Sequence, residues 1–331
     1  MDAKITKQRL SRLLSYDWLK IVACCVAGIL FWSFIFTLTA TGITPAQQFI
    51  VINYTYNGGF SNAFYAHANK AFNDGVFSYE VLEFNPGDQI DLATNGEEVA
   101  NTLLSTRLGT GEGDVIFVPH IDDPATKIEP TEEGGEVTYR YKHTESFLNG
   151  WYMHVANVDE YLANLESFLS QYYDSNGNLN EQKVIKDFDA RCKKNKDKRF
   201  RKQADKEKGR ADEIARIQKY RTALTEFQDY LKSGLIELVP MQITGIGGTV
   251  INSGNYAVNL CPNKDTMGNL KDVAYYNIST EDGTKQSAEN MCVMFFDLED
   301  VEDSFEYESL LYINAVIKTA RTDITANDQQ G

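Results

Sequence analysis

The sequence predicts an α/β domain carried on one membrane-spanning helix. Two observations lead there. Ile21 to Ala40 contains no charged residue. The stretch from Phe49 to Pro119 then alternates apolar runs rich in Val, Ile, Phe and Tyr (49–56, 76–84 and 114–118) with two helically patterned segments. Apolar runs separated by crossover helices are the signature of a parallel sheet.

The N-terminal segment comes first. Residues 1–20 carry Lys4, Lys7, Arg9, Arg12 and Lys20 against Asp2 and Asp17, a net +3, while the whole chain is −15. The remainder therefore carries −18, and no Lys, Arg, Asp or Glu occurs between Ile21 and Asn69. Twenty uncharged residues rise about 30 Å as a helix, enough to cross a hydrocarbon core. Trp18 and Lys20 stand where an interfacial aromatic and a basic residue belong, and the positive-inside bias places the N-terminus in the cytoplasm. Leu38-Thr39-Ala40 is a poor signal-peptide cleavage site, and Ile21-Val22-Ala23-Cys24 opens the apolar run where a lipobox would end it. The expected layout is a tail (1–20), an anchor (21–41), a linker (42–48) and an extracytoplasmic body in the cell membrane's outer space. An acidic body argues against nucleic acid as a partner, since phosphates demand cations.

Within the body, the first strand ends at Tyr56 and turns at Asn57-Gly58-Gly59. Ser61 is placed to cap a helix that stops at Gly75. VFSYEVLEF is read as the second strand, stopped by Asn85-Pro86-Gly87. Thr94 and Glu97 form a capping box for the next helix, with Val99, Leu103 and Thr106 beside Ala100 and Leu104 on an apolar face. Gly109, Gly111 and Gly113 lead into Asp114 and the strand VIFV. These glycines run from helix into strand, the wrong direction for a phosphate loop, and no Gly-Lys-Ser/Thr follows.

Farther on, His120–Glu136 is a polar connection, or one arm of a hairpin with VTYRY (137–141). A helix starts after Asn157 with Val158, Tyr161, Leu162, Leu165, Phe168, Leu169 and Tyr172 in register. Asp174-Ser175-Asn176-Gly177-Asn178 ends it; this fragment resembles a calcium loop but has Leu179 and Ile185 where glycine and glutamate belong. Arg191–Arg210 holds eleven basic and three acidic residues, read either as a docking patch for anionic lipid or a permease or as solvated helix ends. A long helix (about 204–233) presents Ile214, Ile217, Leu224, Phe227 and Leu231 and stops at Gly234. Strands return at 235–243, 249–261, up to Ile278, and 291–298. A terminal helix from about Ser304 offers Phe305, Leu311, Tyr312 and Val316 to the core. The expected segmentation is a first α/β lobe (49–156), a helical block (157–234), returning strands with the last helix (235–321) and a polar tail (322–331).

The chemistry-bearing residues are sparse. His67, His120, His143 and His154 form no HExxH, and no Gly-x-Ser-x-Gly elbow occurs, so no catalytic set, metal site or cofactor is expected. Cys24 and Cys25 fall in the anchor and Cys192 in a charged helix. Cys261 and Cys292 stand in a compartment that permits a disulfide, with separate buried thiols as the alternative. Residues 53–55 and 277–279 read as glycosylation triplets. Ligands of open α/β sheets sit beyond the carboxyl ends of the strands. That placement selects Asn57, Gly58, Phe60 and Ser61 after the first strand and His120 and Asp122 after the third. Trp151 and Tyr256 are candidates for flat faces that would hold a sugar.

The succession from the first strand to LLSTRLGTGEGDVIFV resembles the first lobe of extracellular solute-binding proteins of ABC transporters, in their carbohydrate-type members. There a helix (here Leu103–Leu108) gives way to a Gly-rich turn (Gly109–Gly113), an Asp (Asp114) and an apolar strand (Val115–Val118). The likeness spans residues 48–120, with Glu112-Gly113-Asp114 in place of the frequent Gly-Pro-Asp. It implies a periplasmic-binding-protein-like (type II) fold. It also implies a non-enzymatic role: capture of a small polar solute such as a sugar for an ABC permease. The alternative is a degenerate fold acting as an interaction or sensor subunit of a membrane complex.

Overall fold

The computed structural model describes residues 18–39, 47–55, 58–60, 72, 74–123, 127–130, 136–139, 141–195, 197–245, 249–280, 283–297 and 307–328. The chain forms two compact units, Met1–Gly42 and Ile43–Gly331. In the first, α1 (Trp18–Thr39) is 22 residues long, about 33 Å of helix. Its Trp18–Ile35 stretch has a mean hydropathy of 2.0 and is unburied, so the helix is long and apolar enough to span a membrane.

The second unit is mixed α/β. In chain order it contains β1 (Gln48–Thr55), β2 (Gly58–Phe60), β3 (Glu83–Asp91), α2 (Leu92–Gly109), β4 (Val115–Pro119), β5 (Lys127–Pro130) and β6 (Glu136–Tyr139). Then come α3 (His143–Trp151), α4 (Val158–Ser170), α5 (Glu181–Asn195), α6 (Gln203–Lys232), β7 (Glu237–Thr244) and β8 (Val250–Asn259). β9 (Ala274–Thr280), β10 (Gly283–Ser287), β11 (Met291–Phe295) and α7 (Glu308–Asp328) complete it. The main sheet has the order β3-β1-β4-β11-β8-β7. β3, β1 and β4 are parallel, whereas β11 lies antiparallel to β4 and to β8, and β8 antiparallel to β7. The sheet is thus mixed, not the wholly parallel one its opening pattern implies.

Both faces of the central strands are covered, which is why FIVI and VIFV read as unbroken apolar runs. Phe49, Val51, Val115, Phe117, Val293 and Phe295 pack with apolar residues of α4, α6 and α7. Ile50, Ile52, Ile116, Val118 and Met294 face α2 and α3. On α2 the buried stripe is Ala100, Leu104 and Leu108, while Val99 and Leu103 are exposed. The helical spacing was correct, but the apolar face is rotated by one position. Backbone geometry breaks at Gly96 (φ 74°, ψ 159°), so regular helix begins only after it.

The second strand is displaced from its expected place. Val76–Leu82 is irregular and the strand occupies Glu83–Asp91, straight through Asn85-Pro86-Gly87. Pairing resolves the contradiction: Ile50 faces Asn85 and Ile52 faces Asp88, so Pro86 and Gly87 oppose a single residue of β1. Proline is tolerated because β3 is an edge strand carrying a bulge. The helix expected from Ser61, with His67 on it, lies outside the described residues. Its proposed stop is present: Gly75 has φ 72°, and its N–H donates to the Phe72 carbonyl. The β5–β6 pair realises the hairpin reading of residues 120–141. Asn157 caps α4 by accepting from the N–H groups of Asp159 and Glu160. Asp174 is turned inward on Asn176 and Asn178 as a loop clasp. Residues 322–328, expected as tail, continue α7, and residue 304 lies outside the described residues.

The basic run divides: Lys193, Lys194, Lys198, Arg201, Lys202 and Lys208 are exposed, as solvated helix ends would be, while three arginines pair with acids. Arg191 bonds Glu80 and Glu213, Arg199 bonds Glu80 and Asp197, and Arg210 bonds Asp189. Glu80, Glu213 and Arg216 are buried. Arg191 and Arg199 therefore fasten the Tyr79–Glu80 segment to the helical block, and Arg210 ties α6 to α5.

Candidate functional site

The parallel strands end at Thr55, Asp91 and Pro119, and the sequence places the ligand beyond them. Gly58 there is buried in the β2–β9 pairing, where an added Cβ would lie 2.4 Å from the Tyr275 carbonyl oxygen and 2.7 Å from Thr55 Oγ1. It permits close backbone approach and is closed to a ligand. Asn57, Ser61 and the Phe60 side chain lie outside the described residues. His120 Nδ1 is 2.6 Å from Thr144 Oγ1. Burial lowers the His120 pKa, against the field of Glu145. Asp122 is exposed and takes a 2.7 Å hydrogen bond from Lys142 Nζ. His143 is buried, stacked 5.4 Å from Tyr54, with Nε2 3.2 Å from the Tyr54 carbonyl oxygen. A hydrogen bond and an ion pair thus engage His120 and Asp122, two of the groups expected to meet a solute.

Sequence reasoning marked Asn53 and Thr55 as part of a glycosylation triplet and not as residues of a site. Both are wholly buried, and Asn53 Nδ2, Asn53 Oδ1 and Thr55 Oγ1 have no hydrogen-bond partner among the described residues. The signal was legible: two polar residues at alternate positions close an otherwise apolar strand. Burial also removes Asn53 as an accessible glycosylation acceptor. Thr55→Val is isosteric and removes one unsatisfied hydroxyl. It is expected to raise unfolding free energy by about 1 kcal/mol in urea titration; a loss would show the hydroxyl to be satisfied in solution.

Trp151 and Tyr256 are at the opposite edge. The α3 helix begins at the carboxyl end of β4, where the His143 N–H donates to the Ile121 carbonyl. It ends about 13 Å away. There Val155 bridges Phe296, and the Ala156 N–H donates to the Phe295 carbonyl. Because β11 is antiparallel to β4, Phe295 lies opposite Val115, at the amino end of the parallel strands. Tyr256 is buried near that end, and its side chain is hydrogen-bonded to Asn157 and Asn252. Among the described candidates, His120 and Asp122 therefore lie at one edge of the sheet and Trp151 and Tyr256 at the other.

A cleft of about 430 Å³ lies beyond the carboxyl end of β11. One face of α4 supplies Asn157, Glu160, Tyr161, Asn164, Ser167, Phe168 and Gln171, and Ala156, Phe296, Asp297 and Tyr307 complete the wall. Tyr161 stacks on Phe295 at 4.7 Å and meets Tyr307 edge-on at 5.7 Å; Phe168 lies 5.5 Å from Tyr307. The rings are held by one another, while amides and carboxylates face solvent. Such a wall can hydrogen-bond and stack a small polar molecule. Its described lining contains no histidine, cysteine, lysine or arginine.

Cys261 and Cys292 are separate buried thiols, and burial pushes Cys261 up to about 11 and Cys292 higher still. Among the described residues no group of three or more His, Cys, Asp or Glu side chains could hold a metal. Comparison of the chain with protein-family models, curated protein sequences and solved structures returns no match.

Proposed function

We propose that this chain is a membrane-anchored, extracytoplasmic binding protein that takes a small polar solute such as a sugar, without catalysing its conversion. The single observation that carries the reading is the cleft on α4, where amides, carboxylates and mutually braced aromatic rings line one recess. An apolar helix of membrane-spanning length and an acidic body support an anchored module with its N-terminus in the cytoplasm. The order β3-β1-β4, entered from Gly113-Asp114, keeps the likeness to a solute-binding lobe of type II as the finer fold reading, with an ABC permease as partner. The solute site moves in this reading: the Asn57–Ser61 and His120–Asp122 groups give way to the recess beside Tyr256.

A second reading is favoured by one observation. Ile43–Gly331 is a single compact unit, whereas capture by closure uses two lobes. In that reading the domain is a non-catalytic interaction or sensor subunit of a membrane complex. A thermal-shift screen of the detergent-solubilised protein against sugars, amino acids and amines separates the two. A ligand at 100 times its Kd adds about 2.7 kcal/mol of stability. No shift with any class, together with co-purification of a membrane complex, would leave only the interaction reading.

A further inference from the structure

We infer that the α4 cleft selects a protonated amine, so that its solute is an amino sugar or comparable hydroxylated amine and not a neutral or acidic sugar. The inference rests on the solute-binding reading and adds the charge of the ligand.

Three observations carry it. The described lining includes two carboxylates on different walls, Glu160 on α4 and Asp297 after β11, with no cationic side chain beside them. Neither forms an ion pair with a described residue, whereas Glu80, Asp189 and Glu226 elsewhere in this domain each pair with a cation. The one feature that would favour an anion, the start of α4, is already spent. Asn157 accepts from the Asp159 and Glu160 N–H groups, and both acids sit in the first turn. An anionic solute would therefore meet two like charges and no cation in the described lining. A cation would find two acceptors, with the rings of Tyr161, Phe168 and Tyr307 in the same recess. Asn157, Asn164, Ser167 and Gln171 remain for hydroxyl groups. The net −18 of the chain beyond residue 20 adds a field that concentrates cations at this surface.

The probes are D-glucosamine, D-glucose and D-glucuronate, titrated into the full-length protein in detergent micelles. Calorimetry gives the affinity, and the side-chain amide resonances of Asn157, Asn164 and Gln171 report where binding occurs. Glucosamine is expected to shift those resonances and bind about tenfold or more tightly than glucose, the margin a charge-assisted hydrogen bond supplies. Glucuronate is expected to be the weakest. The preference should shrink with added salt and disappear in Glu160→Gln/Asp297→Asn. Both residues are exposed, so that variant retains the wild-type melting temperature. Equal binding of glucosamine and glucose at the three amides would overturn the charge selection and leave the solute-binding reading standing. Binding of none of the three overturns the amino-sugar assignment alone, and the solute-binding reading is then decided by the wider thermal-shift screen.

Discussion

Glu213→Leu is expected to lower the unfolding free energy by about 3–5 kcal/mol, and adding Arg216→Met to that variant is expected to restore most of the loss. Arg216 is 1% exposed, among the largest wholly buried side chains of the domain. Its guanidinium grips Glu213 through two bonds, Nε to Oε2 at 2.9 Å and Nη2 to Oε1 at 2.6 Å. Glu213 also receives Tyr79 Oη at 2.7 Å and Arg191 Nη2 at 3.1 Å. Burial opposes ionisation of Glu213, but Arg216, Arg191 and the Tyr79 hydroxyl outweigh it and hold the carboxyl at about 2, below its ordinary 4.5. Removing the acid strands a buried cation, the most costly way to break such a pair. Removing both charges leaves the Tyr79 hydroxyl on Arg191 and the Tyr220 hydroxyl on Glu308, and Arg191 keeps Glu80. Urea titration at pH 7 measures both effects. A single variant within 1 kcal/mol of wild type would show that the network does not hold the Tyr79–Glu80 segment. The stabilisation from Glu213 is present above its unfolded value and fades as pH falls from 4.5 towards 2.

Asp114 works in the opposite sense. The residue that the sequence marks at the end of the Gly-rich turn joins three strands at the amino edge of the sheet. Its Oδ2 accepts from the Ile50 N–H at 2.7 Å, its own N–H donates to the Ile50 carbonyl, and its carbonyl accepts from Phe296. Burial pushes the carboxyl up to about 7 from 3.8; the Ile50 bond opposes the rise, and the charge of Glu308 adds to it. Between those values the native state holds a proton that the unfolded chain releases. Stability from this group therefore increases as pH falls from 7 towards 3.8 and is withdrawn as pH rises through 7. Asp114→Asn keeps an acceptor for Ile50 and removes the titration. The stability difference between wild type and variant is expected to change by on the order of 2 kcal/mol across that window, in favour of wild type on acidification. General relief of the acidic body's self-repulsion occurs in both proteins and cancels. Parallel pH profiles would sink the assignment.

Much of the secondary structure was legible because it depends on neighbours in the chain. The uncharged helix, the Asn157 cap, the stop at Gly234 and the buried strands at 49–55, 115–119 and 291–295 follow from periodicity, capping and composition alone. The displaced second strand was not legible. Phe77, Tyr79 and Val81 alternate with Ser78 and Glu80 as in a strand, yet Glu80 bonds Arg191 and Arg199 more than a hundred residues later. Asn85-Pro86-Gly87 reads as a stop unless the strand is known to lie at an edge. Nor did the basic run reveal that Arg191, Arg199 and Arg210 pair with acids, since that depends on acids brought from other segments.

The site divides in the same way. Alone, the sequence determined which segments bury themselves, where the acidic body begins, and that few residues carry reactive chemistry. It could not determine strand direction, because alternating side chains look the same read either way along a strand. Only the tertiary pairing set β11 antiparallel to β4, which carries its carboxyl end to the amino edge of the parallel strands. That reversal brings Phe296 and Asp297 against α4 and places the polar recess on the opposite edge from His120. The physical reason is register: hydrogen bonds between distant strands decide which ends meet, and no local pattern encodes that choice.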